Sequence, residues 1–79
     1  NAYNNLGWLY ANSGKLSDAI TTLEKAISLN PNLPRPYGNL GNVYLALGDK
    51  ERAKFYYKKS IELGSVDPAV INGLKSLGE

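Results

Sequence analysis

Displaced by 34 positions, the sequence falls back on itself. Tyr3 meets Tyr37, Asn5 meets Asn39, Leu6-Gly7 meets Leu40-Gly41, Tyr10 meets Tyr44 and Gly14 meets Gly48. The match continues with Ala19 on Ala53, Ile27 on Ile61, Leu29 on Leu63 and Pro34 on Pro68. A period of this size means one supersecondary unit stacked on the next, because a single unit cannot bury its apolar face alone. Within each unit the apolar residues recur at helical spacing: Tyr3, Leu6 and Tyr10, then a glycine, then Ala19, Leu23, Ala26 and Ile27. Each unit is therefore a helix hairpin. Gly14 and Gly48 can take the left-handed conformation that ends a helix, and Asp49 can cap the helix that follows. The pattern predicts helices over about 2–13, 16–29, 35–47 and 50–63. A fifth helix starts at Asp67-Pro68, a cap residue followed by proline at the first helical position, and runs through Val70, Ile71, Leu74 and Leu77.

Seventy-nine residues with 43% hydrophobic and 20% charged side chains suffice for one small globular domain of marginal stability. Nine basic against seven acidic residues give a net charge of +2, too balanced to argue for nucleic acid or an anionic membrane. The chain lacks both cysteine and histidine. Disulfides, thiolate or imidazole metal sites and the commonest general base are thereby excluded. The acidic residues Asp18, Glu24, Asp49, Glu51, Glu62 and Asp67 fall at caps and on outward faces, without the pairing that tunes a carboxylate for catalysis. The glycines have no phosphate-loop spacing. A non-catalytic chain with no cofactor and no metal is expected. No apolar run is long enough to span a bilayer and no secretory signal opens the chain, so a cytoplasmic location is expected. The sequence starts without Met and inside a helical pattern, which reads as a piece of a longer protein.

The segments Tyr3-Asn4-Asn5-Leu6-Gly7 with Tyr10, and Tyr37-Gly38-Asn39-Leu40-Gly41 with Tyr44, resemble the tetratricopeptide pattern of aromatic, Leu-Gly, aromatic. Ala19, Leu23, Ala26 and Pro31 fill the family's later places in the first unit. Ala53, Tyr57 and Ser60 fill three of them in the second, with Ser65 replacing the closing proline. The resemblance implies an all-α fold: a right-handed α-solenoid of two helix-turn-helix repeats, 1–33 and 34–67, closed by a capping helix over 68–79. Gly7 and Gly41 should face Ala19 and Ala53, small against small. The aromatic residues Tyr3, Tyr10, Tyr37, Tyr44, Phe55 and Tyr57 should fill the core. The cap should shield Phe55 and Ile61.

In such a solenoid the first helix of each hairpin lines a concave groove. By helical spacing that face should present Asn1, Asn4, Asn5, Trp8 and Asn12, then Arg35, Asn39, Asn42 and Leu45, and on the cap Asn72 and Ser76. Asparagine is a mediocre helix former, so its repeated use asks for a reason. One amide both donates and accepts, which suits the backbone of a bound peptide whatever its side chains. Asn5 and Asn39 hold equivalent places before Leu-Gly, a pattern similar to the asparagine ladder in the tetratricopeptide superhelix of O-GlcNAc transferases; Gly73 interrupts it on the cap. Replacing both by Ala is expected to leave the fold intact or slightly more stable. Trp8, the single tryptophan, is a candidate anchor for a ligand side chain. The family's carboxylate clamp needs Lys and Asn one turn apart, where Asn4 and Trp8 stand. The cluster Lys50, Arg52, Lys54, Lys58 and Lys59 is offset by acidic neighbours and suits a solvated convex face better than nucleic acid. The expected function is a protein-interaction module that binds an extended segment. The alternatives are a self-assembling repeat forming a weak homo-oligomer, and the substrate-recruiting arm of a larger enzyme.

Overall fold

In the computed structural model, which describes residues 2–78, five helices follow one another: α1 (Ala2–Asn12), α2 (Leu16–Leu29), α3 (Pro34–Ala46), α4 (Lys50–Glu62) and α5 (Pro68–Ser76). Their ends are set as the local sequence requires. Gly14 and Gly48 have φ of 79° and 82°, the left-handed conformation open to glycine. The Asp49 carboxylate accepts from the Arg52 N–H at 3.1 Å, and that of Asp67 from the Ala69 N–H at 3.0 Å. Pro34 and Pro68 occupy first helical turns, where a missing N–H costs no helical bond.

The helices form two antiparallel hairpins, α1 with α2 and α3 with α4; α2 packs on α3, and α4 on α5. The first helices α1, α3 and α5 are neighbours along one layer. Together they make a helical solenoid of two repeats and a terminal helix. The core runs through both units as Ala19, Leu23, Leu40, Val43, Tyr44, Ala53, Tyr57 and Val70.

The glycine notches are filled differently from the small-on-small expectation. A Cβ on Gly7 would lie 2.5 Å from Leu23 Cγ, and one on Gly41 would lie 2.6 Å from Tyr57 Cδ1. Each glycine thus receives a large side chain from its partner helix, which fills more volume than an alanine contact could. Tyr57 continues outward past Gly73 of α5, whose added Cβ would meet the ring at 2.9 Å. Its hydroxyl donates to Asn42 Oδ1. Burial raises the Tyr57 phenol above its ordinary value of 10.0.

Three expectations about apolar side chains need correction. Phe55 is 61% exposed, because α4 turns Ala53, Tyr57 and Ser60 inward and Phe55 therefore points away. The cap does not reach it; Val70 of α5 instead fits against Gly38, where an added Cβ would meet Val70 Cγ2 at 2.9 Å. Tyr3 and Leu6 are exposed, since α1 is flanked only by α2 and α3 among the described helices. By contrast Tyr37, Tyr44 and Tyr57 are buried and Tyr10 is half-buried.

Candidate peptide-binding groove

Because α1 and α3 lie side by side with equivalent faces turned out, their amides meet. Asn39 Nδ2 donates to Asn4 Oδ1 at 2.8 Å. Asn4 is only 3% exposed and supports Asn39 from the α1 side. The bond fixes the Asn39 amide with its Oδ1 accepting from no described group. That oxygen can accept a further N–H.

Two cavities meet at this pair. The smaller, about 260 Å³, is lined by Asn4, Asn5, Trp8, Arg35, Asn39 and Asp67. The larger, about 640 Å³, shares Asn4, Arg35, Asn39 and Asp67. It adds an apolar wall of Leu33, Pro34, Pro36, Val66 and Pro68, with Ser65 beside them. Its size and mixed lining are those of a small ligand or side-chain site. Trp8 is 54% exposed at the smaller one.

Five of the proposed ligand-binding residues, Asn4, Asn5, Trp8, Arg35 and Asn39, are therefore brought together. Three are not. Asn12, the last residue of α1, and Asn72 on α5 are exposed and line neither cavity. Asn42 is engaged by the Tyr57 hydroxyl. Asn1 lies outside the described residues. Sequence reasoning missed the wall contributed by the two loops before α3 and α5. The signal was present: Leu33 and Asp67, like Pro34 and Pro68, are one period apart and must lie on the same edge of the solenoid.

None of the described helices is long and apolar enough to cross a membrane. Comparison with known families matches residues 7–48 to the TPR repeat and residues 34–63 to the tetratricopeptide repeat. Among curated proteins, heat shock protein STI1 of Saccharomyces cerevisiae is 35% identical over 91% of this chain. The human intraflagellar transport protein 88 homolog is 40% identical over 72%, and the Hsp70-Hsp90 organizing protein of Triticum aestivum is 32% identical over 91%. The chain spans 12%, 7% and 12% of the lengths of these three relatives. With the matched profile covering more than half of the sequence and both hairpins formed at its period, the chain belongs to the tetratricopeptide-repeat family and is a protein-interaction module.

Proposed function

We propose that the chain binds an extended protein segment across α1 and α3, with Asn5 and Asn39 bonding to the segment's backbone and Trp8 contacting a side chain. The observation that carries this reading is the Asn39 amide, held by Asn4 with its acceptor oxygen unused at the junction of two cavities. Neighbouring helices pack at about 10 Å and an extended strand rises about 3.3 Å per residue, so the two asparagines would engage backbone groups roughly three residues apart. Each hydrogen bond adds about 1 kcal/mol net, which puts a segment of about six residues in the micromolar to millimolar range.

Two relatives are named for heat-shock proteins, so chaperone-derived segments belong among the ligands to try. A terminal carboxylate would find Arg35 as its cation in this groove.

A peptide array or NMR titration against variants tests the proposal. Asn5→Ala removes an exposed amide and leaves the Asn4–Asn39 bond in place. It should weaken ligands of unrelated sequence by a similar factor, roughly three- to tenfold for one lost hydrogen bond. Adding Asn39→Ala should deepen the loss past tenfold. Trp8→Ala should weaken some ligands and spare others, because it reads side chains. Equal affinity in the parent and Asn5→Ala chains would leave these asparagines as ordinary solvated surface.

A further inference from the structure

Arg35 and Asp67 both line both cavities, yet they do not pair with each other. Arg52 pairs with Asp49, on a different part of the surface. An unpaired cation and an unpaired anion therefore face one site. The larger cavity also carries an apolar wall that includes Val66, 83% exposed, and Leu33, 40% exposed. Asp67 already caps α5 through one carboxylate oxygen, so the residue is held in place, and no described Lys or Arg forms an ion pair with it.

We infer that this groove selects segments of mixed charge: a carboxylate side chain placed at Arg35, a Lys or Arg side chain at Asp67, and an apolar side chain between them against Leu33 and Val66. The inference rests on the groove reading above and names the class of segment the groove takes. Charge complementarity is its basis. A doubly acidic segment would gain at Arg35 and lose at Asp67, a doubly basic one the reverse, and only a mixed one gains at both ends. In an extended strand alternate side chains share a face, so probes with the three groups at every second position can turn all of them toward the groove.

The probes are five end-capped peptides: Glu-Ser-Leu-Ser-Lys, its charge reversal Lys-Ser-Leu-Ser-Glu, a doubly acidic form, a doubly basic form and a neutral form with Gln at both ends. Each is titrated into the full chain, followed by the amide signals of Asn39 and the indole of Trp8. At low salt the better mixed peptide should bind roughly three- to fivefold tighter than either like-charged one, as expected for exposed pairs. The advantage should shrink at high salt. Two variants sharpen the test. Arg35→Gln should shift the preference to the doubly basic peptide. Asp67→Asn, which keeps a good helix cap, should shift it to the doubly acidic one. If the neutral peptide binds the parent as tightly as the mixed ones, or if the variants leave the order unchanged, the charge selection is overturned and the groove reading survives. If no peptide moves either signal at millimolar concentration, the groove reading falls and this inference falls with it.

Discussion

Gly41 and Tyr57 show how much one residue can decide here. Glycine inside a helix ordinarily costs about 1 kcal/mol relative to alanine. At Gly41 that cost is offset because Tyr57 occupies the space a Cβ would need, 2.6 Å from its ring carbon. Gly41→Ala should therefore destabilise by up to about 2 kcal/mol, an overpacking cost of roughly 1–3 less the propensity gain of about 1. Urea denaturation would check it; a more stable variant would mean that α3 and α4 separate easily. Tyr57 also carries a pH signature. Its raised folded value means that above pH 10 the unfolded chain loses a proton which the native chain retains. Stability is then complete below pH 10 and falls as pH rises from the ordinary value toward the folded one. Tyr56, raised chiefly by burial, adds to the same trend. Tyr57→Phe should cost about 1 kcal/mol at pH 7 through the lost bond to Asn42, and should flatten the alkaline decline in melting temperature. Asn39 needs similar care. Removing its amide breaks the bond to buried Asn4, so Asn39→Ala should lose about 1 kcal/mol, instead of showing the neutral or slightly stabilising effect expected from helix propensity.

At the scale of elements, α5 is held by two close fits, Val70 in the space above Gly38 and the Tyr57 ring in the space beside Gly73. A helix of nine residues has little stability alone, so these contacts decide whether it docks. Val70→Ala should cost about 1–2 kcal/mol, and Gly73→Ala should destabilise although alanine is the better helix former. Removing residues 67–79 should unfold or aggregate the chain, since it uncovers the outer side of both α3 and α4. An unchanged melting temperature after that deletion would remove α5 from the list of stabilising elements. The helix boundaries were legible in advance because their signals are local: left-handed glycines, capping aspartates and prolines in first turns. The docking of α5 was only half legible. The apolar run through Val70 could be seen, whereas Gly73 was read as a gap in an asparagine series. Its packing role depends on a tyrosine sixteen positions earlier.

At the scale of the molecule, the described helices leave one flank of α1 open, with Leu6 40% and Leu9 54% exposed. Apolar side chains grouped on one helix favour weak association. Sedimentation should show concentration dependence toward the millimolar range, accompanied by a change in Trp fluorescence because Trp8 is the only tryptophan. A strict monomer over that range with an unchanged spectrum would count against it. Replacing Leu9 by a charged residue should suppress the association without unfolding the hairpin, as the side chain is already more than half in water.

What the sequence by itself determined is the repeat, the hairpins, their ends and the polar face shared by α1 and α3. These follow from period, propensity and capping, which act over a few residues and recur every 34 positions. Only the tertiary structure decided which asparagines remain open. Asn4 and Asn5 are neighbours on one helix, yet Asn4 is covered and Asn5 is exposed, because α3 lies against α1 on that side. Asn42 likewise meets the hydroxyl of a tyrosine that crosses the hairpin. The larger cavity, with Arg35 and Asp67 unpaired at its edge, exists only because two loops one period apart are brought together by stacking α3 between α1 and α5. Such long-range adjacency is set by the packing of large side chains into glycine notches, and no local pattern states the depth to which each one fits.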